Sequence, residues 1–277
     1  MEAADSSDAL PTDRRPVFNF HRPVPRWAGI VLACLVWACF FAGWQAVVSL
    51  SGISDLILPE PSAVLRALYD LFAHQHYLHD VAVSVGRVVV SFAAASAIAV
   101  PAGVMMGSFR PVESFFNPFV SAARYLPATA FVPLLLMWFG AGDFQKIALL
   151  FLGVVWFLIT MVMDYTKGVS ADLVETSLTL GGSRLQILLT VQVPAALPQI
   201  WTAMRQMLAA SWTYLVVAEI VAATDGVGAM MTRAARFVHT DQVMAGIFTI
   251  GALGLMFDQL FKLLGALMFP HAEPRTK

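Results

Sequence analysis

Charge is scarce in this chain. Only 13% of its residues are Asp, Glu, Lys or Arg, against 58% hydrophobic ones, and the mean hydropathy is +0.73. That balance excludes an ordinary soluble domain. Cysteine is scarcer still. Cys34 and Cys39 both fall inside the first apolar run, so neither a disulfide framework nor a zinc spacing is present, and both read as packing residues. A phosphate-binding loop is missing as well. The nearest glycine-rich run, Gly140 to Lys146, lacks the second glycine and the Ser/Thr that cradle a nucleotide. No nucleophile elbow, HExxH helix or carboxylate pair stands in for it. These absences argue against an enzyme and against nucleotide binding by this chain. The net charge of −1 decides nothing, because the distribution of charge matters more than its sum.

What is present is a succession of apolar runs. Residues 1–26 form a polar tail with Arg14, Arg15, Arg22 and Arg26 and several prolines. Residues 27–50 are too long for a signal-peptide core and read as the first transmembrane helix. Residues 51–80 make an external linker in which Pro61 opens an amphipathic helix with Val64, Leu65, Leu68, Leu71 and Phe72 on its apolar face. His74, His76, His79 and Asp80 match no common metal spacing and are expected in a solvated loop, so no metal site is assigned.

The core, 81–269, holds five more runs. The second span, about 81–108, carries Arg87 near its start, where it is expected to snorkel. A short loop at 108–111 follows. The third span, 118–139, carries Arg124, and Pro127 and Pro133 should break its backbone ladder. Gly140-Ala141-Gly142 turns the chain into the fourth span, Phe144 to Tyr165. The fifth, Gln199 to Ala223, has Glu219 near its outer end. The sixth, Met244 to Phe269, has Asp258 and Lys262 spaced for an ion pair. Residues 270–277 form a short tail. The expected fold is therefore an all-α transmembrane bundle of six helices. Gly103, Gly107, Ala209, Ala210 and Ser211 are small enough to allow close helix contact.

Between the fourth and fifth spans lies a stretch too polar to cross a bilayer, Asp172 to Pro198, within loop 165–198. Asp172 and Glu175 stand three apart, as in a capping box. Gly181-Gly182 can end that short helix. Leu185 to Val193 forms a second amphipathic turn that runs into Pro194, and Pro198 opens the next span. A helix–glycine–helix elbow of this kind suits the docking of a partner.

The spacing of Glu175, Gly181 and Pro194 resembles the EAA loop of ABC-transporter permeases, with Thr176 and Ser177 in place of the two alanines, followed by Leu178 and Gly182. Two further stretches, RYLPATAFVPLLLMWFGAGDFQKI and SWTYLVVAEIVAATDGVG, resemble the nitrate/sulfonate/taurine/bicarbonate branch of the same family, as does LPEPSAVLRAL in the linker. The resemblance covers about residues 55–268. It implies the type I, MetI-like permease fold of an ATP-driven importer, with the loop as the coupling helix. It also implies a second permease subunit (a homodimer of this chain, or a dimer with a similar permease), a cytoplasmic ATPase dimer that holds the ATP and Mg2+, a periplasmic or lipid-anchored solute-binding protein, and no nucleic acid. The expected solute is a small anion; a permease of the same fold for a thiamine precursor is the alternative.

Six spans place both termini and the loop on one side. Arg14, Arg15, Arg22, Arg26, Arg110, Lys167, Arg184, Arg275 and Lys277 fall there, and only Arg66, Lys146, Arg233 and Arg236 fall opposite. The positive-inside rule makes the first side cytoplasmic, and the resemblance implies that the membrane is a bacterial inner membrane. Glu219, Arg124 and Arg87 are candidate path residues because ionisable groups within a membrane mark pathways or buried pairs, and Ser211 and Trp212 join them. A stand-alone secondary transporter is the other class to weigh. The chain lacks the internal repeat on which such transporters are often built.

Overall fold

The computed structural model describes residues 25–221 and 223–270. The expected tail residues Arg14, Arg15 and Arg22, and Arg275 and Lys277 at the other end, lie outside them. Among the described residues every regular element is helical. The chain divides into two units, Met1–Gly52 and Ile53–Lys277.

The first unit contributes α1, Arg26–Ser51, which ends where Gly52 turns left-handed at φ 61°. Trp37, Phe40, Phe41 and Trp44 stack along it at successive helical positions, with ring centroids 5.4–6.3 Å apart. Its 26 residues span about 39 Å at 1.5 Å per residue, enough to cross a bilayer core.

The second unit opens with α2, Pro61–His74, whose buried residues are Val64, Ala67 and Leu71. Leu65 and Phe72, expected on the same apolar face, are exposed instead. The expected solvated loop around the histidines is mostly helix. Only Gln75 and His76 separate α2 from α3, Tyr77–Ser108. Asp80 lies in the first turn of α3 and is bonded to other parts of the fold.

The centre of the unit is the pairing of α3 with α6, Asp143–Lys167. Glycine makes it possible. A Cβ on Gly103 would sit 2.7 Å from the Ile159 carbonyl oxygen, and one on Gly107 would sit 2.7 Å from that of Met163. With little hydrophobic drive between helices in lipid, such close backbone approach supplies the packing energy. Gly153 of α6 accepts the ring of Tyr214 from the next long helix in the same way. Ala209 is exposed and takes no part, whereas Ser211 is buried and donates to the Met207 carbonyl.

The third span differs from a plain crossing helix. It starts earlier, with only Phe109 separating α3 from α4, Arg110–Arg124. After a break at Tyr125–Pro127 and a 3-10 turn, α5, Val132–Phe139, continues at 82° to α4. Pro127 offers no amide to continue the ladder, so the break falls where the sequence places it.

The fifth span also departs from expectation. After α7, Ala171–Thr179, the chain re-enters helix at α8, Arg184–Ile187. It passes through one π turn, Leu188–Gln192, into α9, Val193–Ile220. Pro194 therefore stops nothing. It occupies the first turn of α9, where a missing amide costs little, and Pro198 lies inside the helix instead of opening it. The external connection contains α10, Val227–Arg236, and α11, Thr240–Met268, closes the described chain. Asp258 of α11 does not take Lys262 as its partner. Both its oxygens receive Arg205 of α9, at 2.5 and 2.9 Å.

Among the described residues, five helical stretches are long and apolar enough to cross a membrane, and the bent pair α4–α5 makes a sixth if counted as one span.

Candidate functional site

Two assemblies sit at opposite ends of α9. At its N-terminal end, α7 has no buried residue, and Leu173, Leu178 and Leu180 are exposed. Asp172 does not cap this helix. Ser170 is the residue before it, and Asp172 sits within the first turn, where its charge meets the helix dipole. Glu175 and Thr176 are exposed, and Ser177 donates to the Leu173 carbonyl at 2.7 Å. The helix ends as the glycines require. Gly182 N–H donates to the Ser177 carbonyl and Gly181 N–H to that of Leu178, the paired bonds of a Schellman motif. Gly181 has φ 86°, which a side chain would strain. Gly182 passes close to Ile187, leaving 3.0 Å for a Cβ.

Ser183 then caps α8 by accepting from Gln186 N–H at 3.3 Å. Beneath α7, Val174 and Leu178 line a groove of about 290 Å³ with Phe109, Arg110, Ile187 and Leu188. The elbow thus offers an outward apolar edge and a firm glycine joint, while Gln192 ties its far end to the Thr166 carbonyl of α6.

The other end of α9 holds Glu219, fully buried, and Arg87 of α3, only 3% exposed. Arg87 does not snorkel. Its Nη1 donates to Glu219 Oε1 at 2.7 Å and to the Asp225 carbonyl at 2.9 Å. Its Nη2 donates to Asp143 Oδ1 and to Asp225 Oδ1, both at 2.6 Å, and its Nε donates to Asp143 Oδ1 at 2.8 Å. One guanidinium therefore ties α3, the start of α6, the end of α9 and the loop beyond it. A planar fork of fixed donors suits such a hub better than an ammonium does.

Glu219 is satisfied on both oxygens. Ser84 Oγ lies 2.7 and 2.9 Å from them, and Gly228 N–H donates to Oε2 at 2.8 Å. Asp80 accepts from Gly226 N–H at 2.8 Å and from Arg233 at 2.9 Å. Lys146 donates to the carbonyls of Ala141 and Gly142, at 2.7 and 3.2 Å. Asp225 lies outside the spans, and its bond to Arg87 holds its carboxyl below the ordinary aspartate range.

The glycines have a steric reason here. Gly226 has φ 105°, and a Cβ on it would lie 2.7 Å from Arg87 Nη1. One on Gly228 would lie 2.6 Å from Glu219 Cβ.

The geometry brings two of the sequence candidates, Arg87 and Glu219, into one cluster that ties helices together. Ser84, Asp80, Asp143, Asp225 and the two glycines were missed. Asp80, Ser84 and Arg87 do stand at i, i+4 and i+7, one helical face, which is a signal the sequence carried. The other candidates lie apart from the cluster. Arg124, at the end of α4, is half-buried, and its Nε has no hydrogen-bond partner among the described residues. Trp212 is buried beside Phe257, with ring centroids 5.5 Å apart. Ser211, next to it, is buried too.

Apolar helices long enough to cross a membrane, with an exposed elbow at one end of α9 and a polar hub around the buried Arg87 and Glu219 at the other, make this a multi-pass membrane protein. Comparison with known proteins makes this specific. Residues 99–270, more than half of the chain, match the family described as "Binding-protein-dependent transport system inner membrane component". The taurine transport system permease protein TauC of Escherichia coli (strain K12) is 33% identical over 236 residues, 83% of this chain and 86% of that protein. The putative aliphatic sulfonates transport permease protein SsuC of Bacillus subtilis (strain 168) is 28% identical over 264 residues, 95% of each. Among solved structures, an inward-facing conformation of the MetNI methionine ABC transporter gives a TM-score of 0.57 at 20% identity, covering 73% of this chain and 98% of that one.

The chain belongs to the binding-protein-dependent transport system inner membrane component family. It is a multi-pass permease of an ABC importer with the MetI-like all-helical fold, a transport subunit and not an enzyme.

Proposed function

We propose that this permease carries a small organic or inorganic anion of the sulfonate and taurine class inward by alternating access, as a homodimer in a bacterial inner membrane with both termini and the α7–α8 elbow in the cytoplasm. The single observation that carries the reading is the continuous helical run from Arg184 to Ile220, which joins the elbow to the Arg87–Glu219 hub. Its 37 residues would extend about 55 Å at 1.5 Å per residue, somewhat more than a bilayer with its headgroups.

A cytoplasmic ATPase dimer binds ATP and Mg2+ and grips α7 by Glu175, Thr176, Ser177 and Leu178. Closure of the ATPases moves the elbow, and the Schellman joint at Gly181 and Gly182 passes the motion on without bending. The α8–α9 run then delivers it to the outer end, where the hub fixes α9 to α3, α6 and the α10 loop as one body. A periplasmic or lipid-anchored binding protein presents the solute there. The anion assignment is supported by the relatives named for taurine and aliphatic sulfonates.

The test is uptake of labelled taurine, alkanesulfonates, nitrate and bicarbonate into proteoliposomes holding the permease with its ATPase and binding protein. Uptake of at least one sulfonate, dependent on ATP and on the binding protein, is expected. ATP-independent uptake would overturn the importer assembly, and ATP-dependent uptake restricted to solutes that bear no sulfonate or other anionic group would overturn the solute class.

A further inference from the structure

Helix α4 carries its polar residues on one face. At 100° per residue, Arg110, Glu113, Ser114, Asn117, Ser121 and Arg124 fall within an arc of about 100°, and Glu113 at its edge accepts from Lys167. Val120 and Ala123, at an adjoining angle, are the residues of α4 that bury, where it packs on α3 and α6. Phe115 and Phe119 are exposed on another side. The polar arc is not sealed by the protomer. Ser114 is exposed, and Asn117, Ser121 and Arg124 are half-buried. Ser121 donates to Asn117 at 3.0 Å, which consumes one bond of the row, and Arg110 at its start is exposed.

Arg124 lies about 21 Å along the helix axis from Arg110, at the break before Pro127. The side chains of Arg87, Lys146, Lys167 and Arg205 all have acceptors, whereas the buried Nε of Arg124 has no hydrogen-bond partner among the described residues. Hydrocarbon does not tolerate such a row. Within a membrane, polar faces and broken backbone persist where they meet protein or a water-filled cavity.

We propose that the α4 row of Ser114, Asn117, Ser121 and Arg124 lines the aqueous solute path, with Arg124 as the cation that draws in and discriminates the anionic solute. This rests on the anion-importer reading, yet it can be tested without knowing the solute. In the assembled transporter, with Cys34 and Cys39 replaced by Ser, Asn117→Cys and Ser121→Cys are reacted with two small membrane-impermeant thiol reagents of matched size, one anionic and one cationic. Both sites are expected to label in at least one of the nucleotide-free and ATP-bound states. The anionic-to-cationic rate ratio at Ser121→Cys should fall about tenfold when Arg124→Gln is added and be kept with Arg124→Lys, since a unit charge a few ångströms away in an aqueous channel is worth this order.

No labelling in either state would mean that the row packs dry against the second copy, which overturns the proposal. An unchanged ratio in Arg124→Gln overturns the role of Arg124. Charge-selective labelling without any sulfonate uptake would keep the path and discard the solute class, so the two failures are separable.

Discussion

At the scale of single residues, the decisive fact is that Arg87 and Glu219 are both removed from solvent and satisfied only by each other and their ring of partners. Breaking one half of a buried pair leaves an uncompensated charge, which costs about 3–5 kcal/mol, whereas replacing both halves with apolar groups is often close to neutral. Arg87→Met alone should therefore lower the melting temperature of the detergent-solubilised permease sharply. Arg87→Met with Glu219→Leu should recover a large part of the loss. A double variant as unstable as the sum of the singles would show the two charges acting independently, and thermal melts of the four proteins settle it.

Asp225 adds a pH dependence with a defined sign. Its carboxyl is held below the ordinary value by Arg87, so its contribution is complete above about pH 4, near the unfolded aspartate pKa, and is lost as pH falls through the depressed value. The melting-temperature gap between the native chain and Asp225→Asn should hold steady from about pH 7 to about pH 5 and close only at lower pH. A gap that closed at neutral pH would contradict the assignment.

At the scale of elements, the elbow is the part whose sequence and shape agree most closely. Gly181 at φ 86° needs a residue without Cβ, and open space surrounds it, so a bulky replacement meets backbone strain and no clash. Gly181→Val should therefore leave the spans folded, deform the joint between α7 and α8, and lower coupled transport several-fold while ATP hydrolysis persists. Vesicle transport per ATP hydrolysed is the measurement, and an unaltered ratio would mean that the joint carries no force.

What was legible along the chain follows from which signals are local. The first, second, fourth and sixth spans, the glycine stop at Gly181 and the proline break at Pro127 rest on runs and turns that are local in the chain, and they stand in the sequence. The role of Pro194 did not, because a proline reads alike as a stop or as a first-turn residue until the preceding helix is placed. The partner of Asp258 was hidden for a different reason. Lys262 is near in sequence, but Arg205 of another helix reaches both oxygens with a planar fork that an ammonium cannot match. The hub was half legible: its two buried charges stood out, while the carboxylates of Asp143 and Asp225 lay in what read as ordinary turns.

At the scale of the whole molecule, α9 sets the geometry that any mechanism must respect, because the elbow precedes its first turn and the hub closes its last. Ser183 and Thr224 are both exposed, and they flank the helical run from Arg184 to Ile220. A helix of that length that crosses a bilayer once must leave the two on opposite faces. The orientation proposed from the excess of Arg and Lys on the elbow side puts Ser183 in the cytoplasm and Thr224 outside. In a background lacking Cys34 and Cys39, Ser183→Cys should react with an impermeant maleimide only in inverted membrane vesicles, and Thr224→Cys only in intact spheroplasts. The reverse pattern would turn the elbow away from any ATP-hydrolysing partner and leave the α8–α9 run with nothing to pull on it. Labelling of both from one side would mean that this run does not cross at all, and the mechanical link between elbow and hub would fail with it.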